Sequence, residues 1–124
     1  MAVMGVRMSW DRLAISRPRS SRAAASAAAA ALDVVVVNDG SRDSSLAIAN
    51  EYAARYSDVV RVIDKPNGNY GSTINAALPT LKGEYVKILD ADDTFDTQVV
   101  EPFVNYLEQV RGADMIVAPF IEID

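Results

Sequence analysis

Neither cysteine nor histidine occurs anywhere in the chain. Without cysteine there is no disulfide and no thiolate metal site, although the absence does not identify a compartment. Without histidine there is no Ser-His-Asp triad and no imidazole-bound zinc. Any metal bound here must be held by oxygen. Long apolar runs are lacking too. A membrane span needs roughly 18–20 apolar residues, and the longest candidate, AAASAAAAALDVVVV, is mostly alanine and is broken by Ser26 and Asp33. Clustered positive charge is confined to the start of the chain. Residues 1–32 hold Arg7, Arg12, Arg17, Arg19 and Arg22 against Asp11 alone, about +4, and the net charge of −5 leaves about −9 on the rest. So acidic a body argues against a nucleic-acid partner, whose phosphate backbone calls for clustered Lys and Arg.

What remains is ordinary globular material. At 124 residues, with 50% hydrophobic and 23% charged, the chain can bury one core but not two. From Leu32 onward its pattern is regular. LDVVVV (32–37) is a β-branched run fit for a strand buried on both faces. Residues 44–56 place Ile48, Tyr52 and Tyr56 at helical spacing, beside Leu46, Ala49 and Ala53, with Asp43 or Ser44 to cap the helix. VVRVI (59–63) predicts a second strand, and KPNGNYG (65–71) a loop punctuated by Pro66, Gly68 and Gly71. A short helix fits Ser72 to Leu81, which Pro79 would shorten or end. EYVKIL (84–89) predicts a third strand. Val99, Val100, Phe103, Val104, Leu107 and Val110 form one apolar helical stripe, and MIVAPFIEI (115–123) predicts a last strand. Strands alternating with helices imply parallel pairing in an open α/β sheet.

Residues 1–31 stand outside this pattern. They show no period-two strand and are rich in Arg, Ser and Ala, so an irregular or weakly helical segment is favoured, ahead of a transit-peptide-like one. The expected organisation is therefore an N-terminal segment, 1–31, and a partial domain, 32–124.

In open α/β sheets ligands bind outside the carboxyl ends of the strands. Both acidic clusters, NDGS (38–41) and DADD (90–93), fall at such ends. Asp90 and Asp92 are one residue apart, so on an extended segment both point to one side. Two such carboxylates suit a hard cation, Mg2+ or Mn2+, whose other positions go to water and phosphate oxygens. Aspartates also gather in turns and at helix starts for purely structural reasons. In VVVVNDGS, Gly40 would let a ligand come near the backbone, and Asp39 can accept hydrogen bonds from a base or ribose. Its structural alternative is an Asx-turn with a helix cap.

Taken together, VVVVNDGSRDSS, KPNGNYGSTINAAL and LKGEYVKILDADDTFD resemble, in order and spacing, the nucleotide-binding half of the family 2 glycosyltransferases, over roughly residues 32–124. The resemblance implies the GT-A fold, an α/β architecture with an open, mostly parallel, Rossmann-like sheet. It implies that Asp39 contacts the nucleobase, and that Asp92, with Asp90, engages the ribose and a metal-bound diphosphate. Asn38, Gly40, Asn67, Gly71 and Asn75 fall in the segments near the nucleotide. Where the family often carries Arg before the helix Asn, this chain has Ile74, so no Arg contact is assigned. The implied cofactor is Mn2+ or Mg2+. The implied donor is a nucleotide-diphosphate sugar, transferred with inversion to an acceptor hydroxyl of an undetermined saccharide or lipid.

Two departures from the family pattern stand out. Such enzymes normally begin with a strand reading like V-S-V-I-I-P-V-Y-N, and nothing in residues 1–31 resembles it. Their catalytic carboxylate also lies well downstream of the D-x-D, so the general base is expected beyond residue 124. A truncated or frame-shifted coding sequence, inactive by itself, is the resulting expectation. The implied location is the cytoplasm, with membrane association left open for the intact enzyme. Two other functions compete. One is a non-catalytic nucleotide-binding fragment. The other is a haloacid-dehalogenase-like phosphatase, in which Asp90 would be the nucleophile and Asp92 the acid/base; that reading leaves NDGS without a role.

Overall fold

In the computed structural model, residues 2–6, 32–96, 98–110, 112–119 and 121–122 are described. Strand β1 (Ala2–Val6) is followed by β2 (Leu32–Asp39), α1 (Ser45–Arg55), β3 (Val60–Lys65), α2 (Asn69–Ala77) with a 3-10 turn at Leu78–Thr80, β4 (Tyr85–Leu89) and α3 (Val100–Gln109). The sheet order is β3-β2-β1-β4.

The valine run makes β2 the spine of the sheet. Val35 and Val37 are 0% and 1% exposed, while Val34 and Val36 on the other face are only half-buried. β2 pairs with β3 in parallel, from Val34 opposite Val60 to Asp39 opposite Lys65. The strand thus runs two residues past the valines and takes in Asn38 and Asp39. Ala77 packs against Val35 and Val37, with Ile63, Leu81 and Ile88 around them. A second cluster forms where Val104 and Leu107 of α3 meet Leu32, Tyr85, Val100, Phe103 and Ile116. The predicted α3 stripe therefore faces the core. Val99, which precedes the helix, stays exposed.

The chain start corrects the sequence reading. Residues 2–6 are neither irregular nor helical. They form a strand between β2 and β4, antiparallel to both, with Ala2 opposite Val36 and Leu89 and Val6 opposite Leu32 and Tyr85. β2 and β4 each present a row of backbone donors and acceptors that must be paired, and AVMGV supplies the partner despite lacking alternation. The fold is the expected open α/β sheet, with β2, β3 and β4 running one way, but the inserted strand runs against them. The rest of residues 1–31 lies outside the described residues.

Three further differences each have a physical cause. α2 begins at Asn69, three residues earlier than expected, because a carboxylate from β2 satisfies amides at its start. α1 forms where predicted and opens on Asp43, whose carboxylate accepts the Ser45 amide at 2.9 Å. Its Ile48, Tyr52 and Tyr56, however, are about half exposed, and Ala49 is the buried contact. Helical spacing identified the helix and not the face it buries. Residues 115–119 are not a strand. Ile116 packs under α3, and Met115 and Val117 are exposed, because an apolar run becomes a strand only where a sheet edge pairs with it.

Candidate functional site

The parallel register of β2 and β3 brings Asp39 beside Lys65 at the carboxyl ends of both strands. The Lys65 ammonium donates to Asp39 Oδ1 at 2.5 Å and to the Pro66 carbonyl at 2.7 Å. The same Oδ1 accepts the Gly68 amide at 2.9 Å, and the Asn69 amide also donates to this carboxylate. One carboxylate therefore ties together the end of β2, the end of β3 and the start of α2. The bonded Lys65 ammonium holds the Asp39 carboxyl below its ordinary value of 3.8; partial burial opposes this, and the Gly68 and Asn69 amides reinforce it. Asp39 is not a local Asx-turn residue. It is a long-range cap.

Gly40 follows with φ +73°, a left-handed conformation that favours glycine. A Cβ there would lie 2.8 Å from the Asn67 amide nitrogen, so the NDGS turn rests directly on the backbone of the KPNG loop. Asn38 is buried and donates to Asp64 Oδ1 at 2.7 Å. The structure thus brings Asn38, Asp39, Gly40 and Asn67 into one neighbourhood. Gly71 and Asn75 lie on α2 and are exposed. Nothing approaches within 4 Å of a Cβ built on Gly71, so no close packing requires that glycine.

The DADD segment sits at the same end of the sheet. Leu89 is level with Ala2, and Ala2 with Val36, which puts the Asp90 backbone roughly 10 Å across the sheet from that of β2, two strand spacings away. The segment is not extended. The Asp93 amide donates to the Asp90 carbonyl at 3.1 Å and closes a turn, so Asp90 and Asp92 do not share a side by strand alternation. Asp90, Asp92 and Asp93 are all exposed. Asp96 has a structural task, accepting the Gln98 amide at 2.9 Å ahead of α3. Among the described residues no group of three acidic side chains converges as a ready cation cage. Exposed oxygen donors on a tight turn nevertheless fit a cation that takes one or two carboxylates and fills its remaining positions with water and phosphate.

Sequence reasoning missed Lys65, which read as loop chemistry. Only the β2–β3 register places it opposite Asp39, and the spacing of residues along the chain does not specify a register between distant strands.

Comparison with known proteins now decides the family. Residues 20–123 match Glycosyl transferase family 2. The chain belongs to that family. Over 89 residues it is 37% identical to an uncharacterized glycosyltransferase of Mycoplasma pneumoniae, covering 70% of this chain and 28% of that protein. It is 36% identical over 86 residues to an uncharacterized glycosyltransferase of Rickettsia felis, covering 69% and 14%. It is 40% identical over 70 residues to the chondroitin synthase of Pasteurella multocida, covering 56% and 7%. The chain thus spans less than a third of the length of these relatives. No solved structure matches it significantly. Family 2 transferases use nucleotide-sugar donors and generally depend on a divalent metal. No helix among the described residues is long and apolar enough to cross a membrane.

Proposed function

We propose that the chain is the donor-binding part of a metal-dependent, inverting glycosyltransferase that takes its sugar from a nucleotide-diphosphate sugar. The observation that carries this is the placement of the Asp39 node and the DADD turn at one end of the sheet, in a family 2 chain. Family membership also favours this reading of Asp90 and Asp92 over the phosphatase one.

Asp39 is an ionised acceptor at the end of β2, suited to an N–H of the base or a hydroxyl of the ribose. Gly40 leaves its backbone open to close approach on the solvent side. Asn38, Asn67, Gly71 and Asn75 would border the nucleoside. Asp90 and Asp92 would hold Mn2+ or Mg2+, which when bound supplies charge neutralisation to a departing diphosphate. The acceptor hydroxyl would be deprotonated by a carboxylate acting as general base. The cytoplasm is the proposed site of action, and the acceptor is a saccharide or a lipid.

Isothermal titration of the 124-residue chain with UDP and GDP, with and without Mn2+, tests the reading. Binding that Mn2+ strengthens is the expected result. Lack of binding to either nucleotide at millimolar concentration, by folded protein in the presence of Mn2+, would overturn it.

A further inference from the structure

We propose that Lys65 is a positioning residue of the donor site: its ammonium fixes the Asp39 carboxylate, and through it the start of α2, in the arrangement that meets the nucleoside. This rests on the donor-binding reading above. Three observations carry it. First, Lys65 and Asp39 are the last paired residues of two parallel strands, and partners in register lie on one face at about the 4.8 Å spacing of neighbouring strands. The ammonium is thus delivered to the carboxylate by the sheet. Second, both side chains are sheltered, 18% and 19% exposed, and the ammonium is also held by the Pro66 carbonyl. A long side chain with two anchors is not a loose surface pair of negligible worth. Third, the node depends on Gly68. A Cβ at that position would sit 3.0 Å from the Lys65 nitrogen and 2.8 Å from Ser72 Cβ. The missing side chain lets ammonium and amide reach the same carboxylate oxygen.

The chemical consequence is specific. The groups facing Asp39 are the Lys65 ammonium on β3 and the Gly68 and Asn69 amides at the start of α2. The amides belong to the backbone and survive any side-chain change there. Lys65 is the one of these groups that a substitution removes. Without it, Asp39 keeps its amides but loses its charge partner and the contact that links it to β3. A looser carboxylate has to be ordered when a ligand binds, and that ordering weakens affinity.

The test compares the 124-residue chain with Lys65→Met and Lys65→Arg variants. UDP and GDP affinities are measured with and without Mn2+, and the Asp39 side-chain carboxyl is titrated by carbon NMR without ligand. Lys65→Met should bind about tenfold more weakly, by the same factor with or without Mn2+, since the role lies at the nucleoside and not at the cation. Lys65→Arg, which keeps a charge within reach, should recover most of that loss. The Asp39 midpoint should rise in the Met variant and not in the Arg variant. If the unaltered chain binds nucleotide and Lys65→Met binds it as tightly or more tightly, the positioning role is overturned and the donor-binding reading stands. If the unaltered chain binds neither nucleotide, both fall together. An unmoved Asp39 midpoint in Lys65→Met overturns the positioning role whatever the affinities show.

Discussion

Asp33 and Arg61 lock the end of the β2–β3 pair opposite to Asp39 and Lys65. Arg61 Nη2 reaches Asp33 Oδ1 and Oδ2 at 2.9 and 2.8 Å, and Nε reaches Oδ1 at 3.1 Å. Nη2 also donates to the Thr80 carbonyl, and the Lys82 amide donates to Asp33 Oδ2. Asp33 is 5% exposed. The pair therefore clamps the segment after α2 to the base of the sheet, far from the candidate site.

That distance yields a prediction. Asp33→Ala would strand a half-buried guanidinium and the Lys82 amide. It should cost about 2–3 kcal/mol, less than for a fully buried pair because Arg61 is partly solvated. Urea denaturation would measure the loss. Nucleotide affinity of the folded protein should be unchanged, so a parallel fall in affinity would argue against separating the two ends of the sheet.

Gly40 and Gly71 should respond in opposite ways to alanine. At Gly40 the left-handed φ and the Asn67 amide 2.8 Å away both oppose a side chain. Gly40→Ala should therefore cost roughly 1–2 kcal/mol, displace the Asn67 amide resonance and weaken nucleotide binding. Gly71 lies on α2 with open space around it. Gly71→Ala should stabilise the chain by about 0.5–1 kcal/mol. If stability rises while affinity falls, Gly71 is where the ligand approaches, as the family resemblance implies.

Acid should release the Asp39 node. A carboxyl held below 3.8 in the folded chain binds fewer protons there than in the unfolded chain. Its contribution is therefore complete above about pH 4–5 and fades as pH falls through the lowered folded value. Asp43, held below the same value by its hydrogen bonds to Ser45, acts in the same direction. Melting temperature should thus drop on acidification below about pH 4. Asp39→Asn should make that drop shallower, and an equally steep profile in Asp39→Asn would show that other carboxylates control it.

The contrast between these residues shows how much could be read from the chain alone. Four consecutive valines specify a buried strand, and the Val100, Phe103, Val104 and Leu107 stripe specifies a core helix, because both signals are local and periodic. The motifs at the strand ends were legible for the same reason, once strand direction was assumed. Non-local contacts were not legible. The start of α2 depends on a carboxylate 29 positions before Gly68. The Asp33–Arg61 clamp spans 28 positions and hides in what reads as an interrupted apolar run. β1 is an uninterrupted apolar stretch, AVMGV, whose partners β2 and β4 both lie far along the chain, so its pattern does not announce a strand or its direction.

The acidic stretch from Asp90 to Asp96 divides into residues the fold explains and residues it does not, and a cation distinguishes them. Asp96 already accepts the Gln98 amide, so Asp96→Ala should cost about 1 kcal/mol of stability and leave the effect of Mn2+ on nucleotide affinity in place. Asp92 is exposed on a hydrogen-bonded turn among other carboxylates. Asp92→Asn removes one negative charge from that crowd, so stability should stay within about 0.5 kcal/mol or rise slightly. The same change takes away half of the two-carboxylate donor set proposed for Mn2+ or Mg2+. Nucleotide affinity without metal should therefore survive, while the increment added by Mn2+ disappears. Calorimetry on the two variants separates the cases. If the increment persists in Asp92→Asn, the cation is not held by Asp92, and the cluster is a solvated turn whose charges serve only the approach to α3.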